Sequence, residues 1–242
     1  MGELTCALAG RRVRKERNGV GLPLTRYGLR EMAAATVVLG ALAVVGWLLW
    51  PPAAALPAAI WLAVLLFFRD PPRTPDADGA FISAADGRVA DITPLRADGP
   101  LGCEGTQIGV FMSVLDAHVN RAPFAGRVVS VTHRDGGYLD ARNPDATELN
   151  ESTTIVFSCP DGQGGEFPLV VRQIAGLVAR RIVTDLRPGQ TVRTAERFGM
   201  VKFGSRVEVQ IPAGRLGEVA AKVGQTVRAG KTVIAWPLKS EI

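Results

Sequence analysis

The stretch Gly126-Arg127-Val128-Val129-Ser130-Val131-Thr132-His133 decides the fold. It opens on a turn glycine and continues in β-branched residues that suit a pleated strand. Five further runs share this texture: Gly87–Ile92, Thr153–Ser158, Pro168–Ile174, Arg206–Ile211 and Lys231–Trp236. Gly, Pro, Asp and Asn punctuate the intervals between them. Short strands at this spacing predict a mainly β domain, a sandwich or barrel. An internal echo supports the reading. Gly189-Gln190-Thr191-Val192-Arg193 returns as Gly224-Gln225-Thr226-Val227-Arg228. Gly87-Arg88-Val89 and Gly126-Arg127-Val128 form a second pair of similar strand starts.

Such turn-then-strand units resemble the biotinyl/lipoyl-carrier type of β-sandwich, the barrel-sandwich hybrid. Taken singly, G-x-x-V is a generic turn signal. The whole chain has 242 residues, 47% apolar and 21% charged, with a net charge of +5. That balance excludes a disordered or purely solvated chain. Cys6, Cys103 and Cys159 are too few and too scattered for a disulfide scaffold, and no C-x-x-C occurs. A reduced, cytoplasmic setting fits them. Two histidines, His118 and His133, do not make a His-rich zinc site, and no metal is expected.

Upstream of the strands the chain changes character. Residues 1–31 form a basic arm with Arg11, Arg12, Arg14, Lys15, Arg17, Arg26 and Arg30 against Glu3, Glu16 and Glu31. Residues 32–68 carry no charge at all. Met32 to Trp50 is long enough for a helix of roughly 28 Å, close to a hydrocarbon core. Pro51-Pro52 interrupts the run, and Ala53 to Phe68 is at the short end for a span. Trp47, Trp50 and Trp61 suit a headgroup layer. The expectation is a membrane helical hairpin, spanning or dipping, at the cell membrane. Basic residues on either side place both ends, and the domain 69–242, in the cytoplasm. A cleaved signal peptide and a buried soluble hairpin are the competing readings. Three prolines in Arg69-Asp70-Pro71-Pro72-Arg73-Thr74-Pro75 favour an extended exit from this segment.

Four local signals carry polar chemistry. Ser83-Ala84-Ala85-Asp86-Gly87 puts an acid before a turn glycine, which reads equally as a turn Asp bonding its own backbone. Asp116-Ala117-His118-Val119-Asn120-Arg121-Ala122-Pro123 gathers an acid, an imidazole, an amide and a guanidinium, or is a polar surface loop. Glu148-Leu149-Asn150-Glu151 reads as a solvated turn, and Phe203-Gly204-Ser205 is a common tripeptide.

In order, with Phe67-Phe68-Arg69-Asp70-Pro71 ahead of them, these motifs resemble the short, single-domain form of the phosphatidylserine decarboxylase family. The likeness runs over about residues 33–237. It implies a pyruvoyl enzyme that makes its own cofactor by cutting between Gly204 and Ser205, leaving chains 1–204 and 205–242 associated. The chemistry has its own logic. Decarboxylating an amino acid leaves a carbanion at Cα that needs an electron sink. A ketone conjugated to an amide serves, by forming a Schiff base with the substrate amine. By the resemblance, Ser205 Oγ attacks the Gly204 carbonyl. Serine needs a base and the base an orienting partner. His118 is the candidate base, with Asp86 the orienting acid and Asp116 its competitor. Members with H-x-x-H at this loop have a second imidazole where this chain has Arg121, so Arg121 is a candidate for substrate binding, with Asp116 and Arg69. His133 reads as structural.

The implied partner is phosphatidylserine in an anionic membrane, whose surface attracts basic residues. A homodimer is left open, and no nucleic-acid partner is expected. The alternative is a biotinyl- or lipoyl-like carrier or adaptor tethered to the membrane. It would need an exposed lysine at a hairpin tip, for which Lys202 in Gly199-Met200-Val201-Lys202-Phe203 is the near match.

Overall fold

Pro51 and Pro52 set the geometry of the N-terminal region. A residue before proline is pushed out of the helical region, and Trp50 is extended at φ −159° and ψ 103°. The helix α1 (Leu29–Leu49) ends there, a 3-10 turn (Pro51–Ala54) reverses the chain, and α2 (Ala55–Phe67) follows. The two helices pack on each other, and Trp61 Nε1 donates to Thr36 Oγ1 at 2.9 Å. These features belong to a computed structural model that describes residues 23–140, 143, 145–177, 181–202 and 205–238. The basic residues Arg11–Arg17, Cys6, Phe203 and Gly204 lie outside the described residues.

The segment Arg26–Leu49 is long and apolar enough to cross a membrane, whereas Pro51–Phe67 is shorter than a span. The expected hairpin is thus realised as one span-length helix and one short partner. Leu48, Leu49, Trp50 and Leu56 are exposed, which runs against a buried soluble hairpin.

Downstream the chain is mainly β, as its Val-, Ile- and Thr-rich runs require. The strands are β1 (Phe81–Ile82), β2 (Gly87–Leu95), β3 (Gly105–Met112), β4 (Val119–Arg121), β5 (Gly126–Arg134), β6 (Ser152–Pro160) and β7 (Glu166–Ile174). The short helix α3 (Ala146–Leu149) precedes β6. They continue with β8 (Ile182–Thr184), β9 (Thr191–Val192), β10 (Arg197–Val201), β11 (Ser205–Pro212), β12 (Leu216–Val219), β13 (Thr226–Val227) and β14 (Val233–Pro237). A curled eight-stranded antiparallel sheet runs β13-β2-β3-β11-β7-β6-β5-β9. Two three-stranded sheets, β1-β14-β12 and β4-β10-β8, complete the fold.

The sequence echo is a structural symmetry. Gly224 N donates to Val89 O, and Gly189 N donates to Val128 O, both at 2.8 Å. Val89 pairs with Val110 as Val128 pairs with Phe157, and Val110 with Val207 as Phe157 with Leu169. The two halves meet between β11 and β7, with the Val209–Val171 pair at the centre. The core is built from the inward residues of both halves, including Val89, Val110, Phe157, Leu169, Val171, Val207, Val209 and Phe198. Strand β11 therefore lies in the middle of the sheet, buried on both faces.

Candidate active site

Strand β10 ends at Val201 and β11 begins at Ser205, so the Gly204-Ser205 peptide belongs to the link between a flanking sheet and the central one. Alternation along β11 turns Ser205 to the same face as the core residues Val207 and Val209. Ser205 is fully buried, and its Oγ has no hydrogen-bond partner among the described residues. A buried hydroxyl without a partner costs free energy, which marks this position as a candidate.

Ser205 pairs with Met112, the last residue of β3. From there the chain turns through Ser113–Ala117 and reaches His118 and β4. Asp116 shapes that turn, its carboxylate accepting from Ser113 N at 2.8 Å and Ser113 Oγ at 2.7 Å. The main-chain carbonyl of Asp116 lies 2.9 Å from His118 Nδ1. A carbonyl only accepts, so Nδ1 carries the proton and Nε2 presents a lone pair. That Nε2 is buried without a partner among the described residues. Burial pushes the imidazole pKa down from 6.5 to about 4, against the smaller opposing pull of Asp116, so the ring is neutral at pH 7. Phe67, at the end of α2, packs on its face.

Asn120 lies two residues beyond His118. Its Oδ1 accepts from Gln173 Nε2 at 2.7 Å, and its Nδ2 faces Met112 Sδ, a weak acceptor, at 3.9 Å. Met112 flanks Ser205 on one side of β11, and Gln173, opposite Val207, lies on the other. The Asn120 amide therefore bridges across the start of β11. The sequence motif contains Asn120 but assigns it no role, and Gln173 has no motif signal. Only the cross-strand register brings them together.

The remaining candidates are placed as follows. Asp86 sits just before β2, with Oδ1 accepting from Ala229 N at 2.7 Å and Oδ2 from the Arg73 guanidinium at 2.8 Å. Burial raises its pKa, and Arg73 and the Ala229 amide pull it back. Asp116 and Arg69 are within its electrostatic reach, but its hydrogen bonds go to Arg73 and Ala229 and not to the imidazole. Arg121 is buried and committed: it donates to Asp70 at 2.6 Å, Pro71 O at 3.0 Å and Ala195 O at 3.2 Å. Asp70 also binds Arg197, so these contacts pin the exit segment to β4 and β10. Arg69 donates to Leu66 O at 2.8 Å and also to Leu115 O.

Two readings change. Asn150, expected in a solvated turn, is fully buried and donates to Leu139 O at 2.8 Å and Ala175 O at 2.7 Å. Lys202 is buried in an ion pair with Glu31 of α1, with the Phe68 ring 5.9 Å away. That is not the exposed tip a carrier lysine requires. His133 is half-exposed on β5 and bonds Thr153 Oγ1 at 3.1 Å, away from these groups.

The sequence matches the family model described as phosphatidylserine decarboxylase over residues 61–235. This chain belongs to the phosphatidylserine decarboxylase family. The phosphatidylserine decarboxylase proenzyme of Rhodopirellula baltica is 40% identical over 217 residues, 88% of each chain. That of Salinibacter ruber is 46% identical over 200 residues, 81% of this chain and 85% of the relative. That of Nitrobacter winogradskyi is 41% identical over 208 residues, 84% of this chain and 78% of the relative. Phosphatidylserine decarboxylases are carboxy-lyases, and the match runs from within α2 through the β domain into β14.

Proposed function

We propose that the chain decarboxylates phosphatidylserine to phosphatidylethanolamine and CO2 at a pyruvoyl group made from Ser205 by self-cleavage of the Gly204–Ser205 bond. The observation that carries this is that Ser205 Oγ, a nucleophile, and His118 Nε2, a lone pair, are both buried without a hydrogen-bond partner among the described residues.

His118 takes the Oγ proton as Ser205 attacks the Gly204 carbonyl carbon and returns it to the nitrogen of residue 205 as the C–N bond breaks, so that an ester and a free amine replace the amide. Loss of the α-proton of residue 205 expels the carboxylate of Gly204, and water releases ammonia from the new terminus. The Asn120 amide, locked by Gln173, offers N–H donors beside residue 205 for oxygen that gains charge. Asp86 and Arg73 hold the turn before β2 and set the local charge. The residues fit a pyruvoyl group, because position 205 is buried at the start of a central strand and the Asn120 amide nearby is spent only on the weak acceptor Met112 Sδ. That group supplies the electron sink for the carbanion left by departing CO2. The chain 205–242 stays with 1–204 because β11 lies between β3 and β7.

Residues 32–68 act as the membrane anchor and 69–242 as the catalytic domain, on the cytoplasmic side. Arg69 and Arg121 act by holding the β3–β4 turn and the exit segment, each through backbone carbonyls. Release of CO2 from phosphatidylserine vesicles tests the reading. The chain should release it, and Ser205→Ala should not.

A further inference from the structure

The loop between β3 and β4 presents two adjacent large apolar side chains to the outside. Val114 is 52% exposed and Leu115 is 80% exposed. The loop backbone is not loose. Asp116 N donates to Ser113 O at 3.0 Å, and the Asp116 carboxylate closes the same turn through Ser113. Leu115 O accepts from the Arg69 guanidinium, whose other nitrogen holds Leu66 O near the end of α2. The tip is thus tied to the apolar helix pair at one end. At the other end it leads within three residues to His118, which rests on Phe67 of the same helix.

We propose that Val114-Leu115 is a wedge that enters the bilayer beside α2 and opens the route by which a lipid headgroup reaches His118 and residue 205. Three observations point to lipid as the occupant. The exposed apolar tip is tied through Arg69 to the end of α2, where Leu62 and Leu66 are also exposed. Ser113 N, Ser113 Oγ and Asp116 N bond within the turn and Leu115 O bonds Arg69, which lowers the cost of carrying this backbone out of water. The cation at its base, Arg69, suits the headgroup layer next to an apolar tip. The inference rests on a bilayer-borne substrate but not on the cleavage chemistry.

The test compares Val114→Asp/Leu115→Asp with the parent. Turnover of phosphatidylserine in vesicles should fall by about tenfold or more, as for loss of apolar insertion. Self-cleavage, and turnover of dihexanoyl-phosphatidylserine as monomers, should stay at the parent values. A Leu115→Trp variant should gain fluorescence that acyl-chain-brominated phosphatidylcholine quenches beyond the parent's. Unchanged vesicle turnover, or no added quenching, overturns the proposal. An equal loss on both substrates also overturns it, by placing the loop in the site. So does a dimer of the parent that the double substitution dissociates. An uncleaved parent without activity on either substrate would instead fail the catalytic reading.

Discussion

The ring of Phe67 lies against that of His118, with centroids 4.3 Å apart and planes inclined by 36°. The last residue of an apolar helix thus keeps water from the imidazole. His118 in the fold has its pKa near 4, below its ordinary 6.5. Between those values the folded state binds fewer protons than the unfolded chain, so stability rises with pH. The contribution of the neutral ring is complete above about pH 6.5 and is lost as pH falls towards 4. Self-cleavage followed on gels should be flat from pH 8 to near 5 and fall towards 4. Phe67→Ala, by admitting water, should move that inflection upward towards 6.5. An unmoved inflection would remove Phe67 from this role.

Asp86 and Arg73 form a nearly buried pair, with side chains 11% and 13% exposed. Asp86→Ala strands the guanidinium and the Ala229 amide, and should cost about 3 kcal/mol in denaturant unfolding. Asp86→Asn keeps an acceptor for Ala229 N and should cost less. Equal losses would show that the amide contact contributes nothing.

Replacing both Asn120 and Gln173 by Leu removes a buried polar pair without orphaning either partner, so the unfolding midpoint should change little. If the amide serves residue 205, self-cleavage should nonetheless slow by about a hundredfold. Parent-like cleavage in the double variant would make the pair purely structural.

Much of the fold was legible because Val, Ile and Thr runs of this length have few alternatives to a strand. All six runs lie in long strands or, for Lys231–Trp236, in β14 from Val233 onward. The repeated G-Q-T-V-R segments pair with the repeated G-R-V starts, Gly126 with Val192 and Gly87 with Val227. Strands β1, β4, β8, β9 and β13, of two or three residues, exist only through their partners. At the candidate site, sequence singles out His118 and Ser205 by residue type, and both are buried with an unpartnered side-chain atom among the described residues. Sequence is silent where geometry chooses the partner. Spacing does not say that Asp116 meets His118 through its carbonyl, that Asp70 occupies Arg121, or that Gln173 faces Asn120.

The repeat also exposes a strained position. Ala195 has φ 67°, the value of its counterpart Gly230 in the other half. An L side chain pays for that conformation, and glycine does not. Ala195→Gly should stabilise the fold by up to about 1 kcal/mol, read as a rise in the thermal midpoint. A fall would mean that the Ala195 methyl, packed near Gly230, contributes more than the strain costs.

The intact mass of the purified protein bears most directly on the chemistry at residue 205. Two species should appear, ending at Gly204 and beginning at position 205, with the smaller blocked by a pyruvoyl group. Ser205→Ala should give one uncleaved mass. A parent protein that stays continuous through Gly204-Ser205 while releasing CO2 from phosphatidylserine would contradict the proposed catalyst.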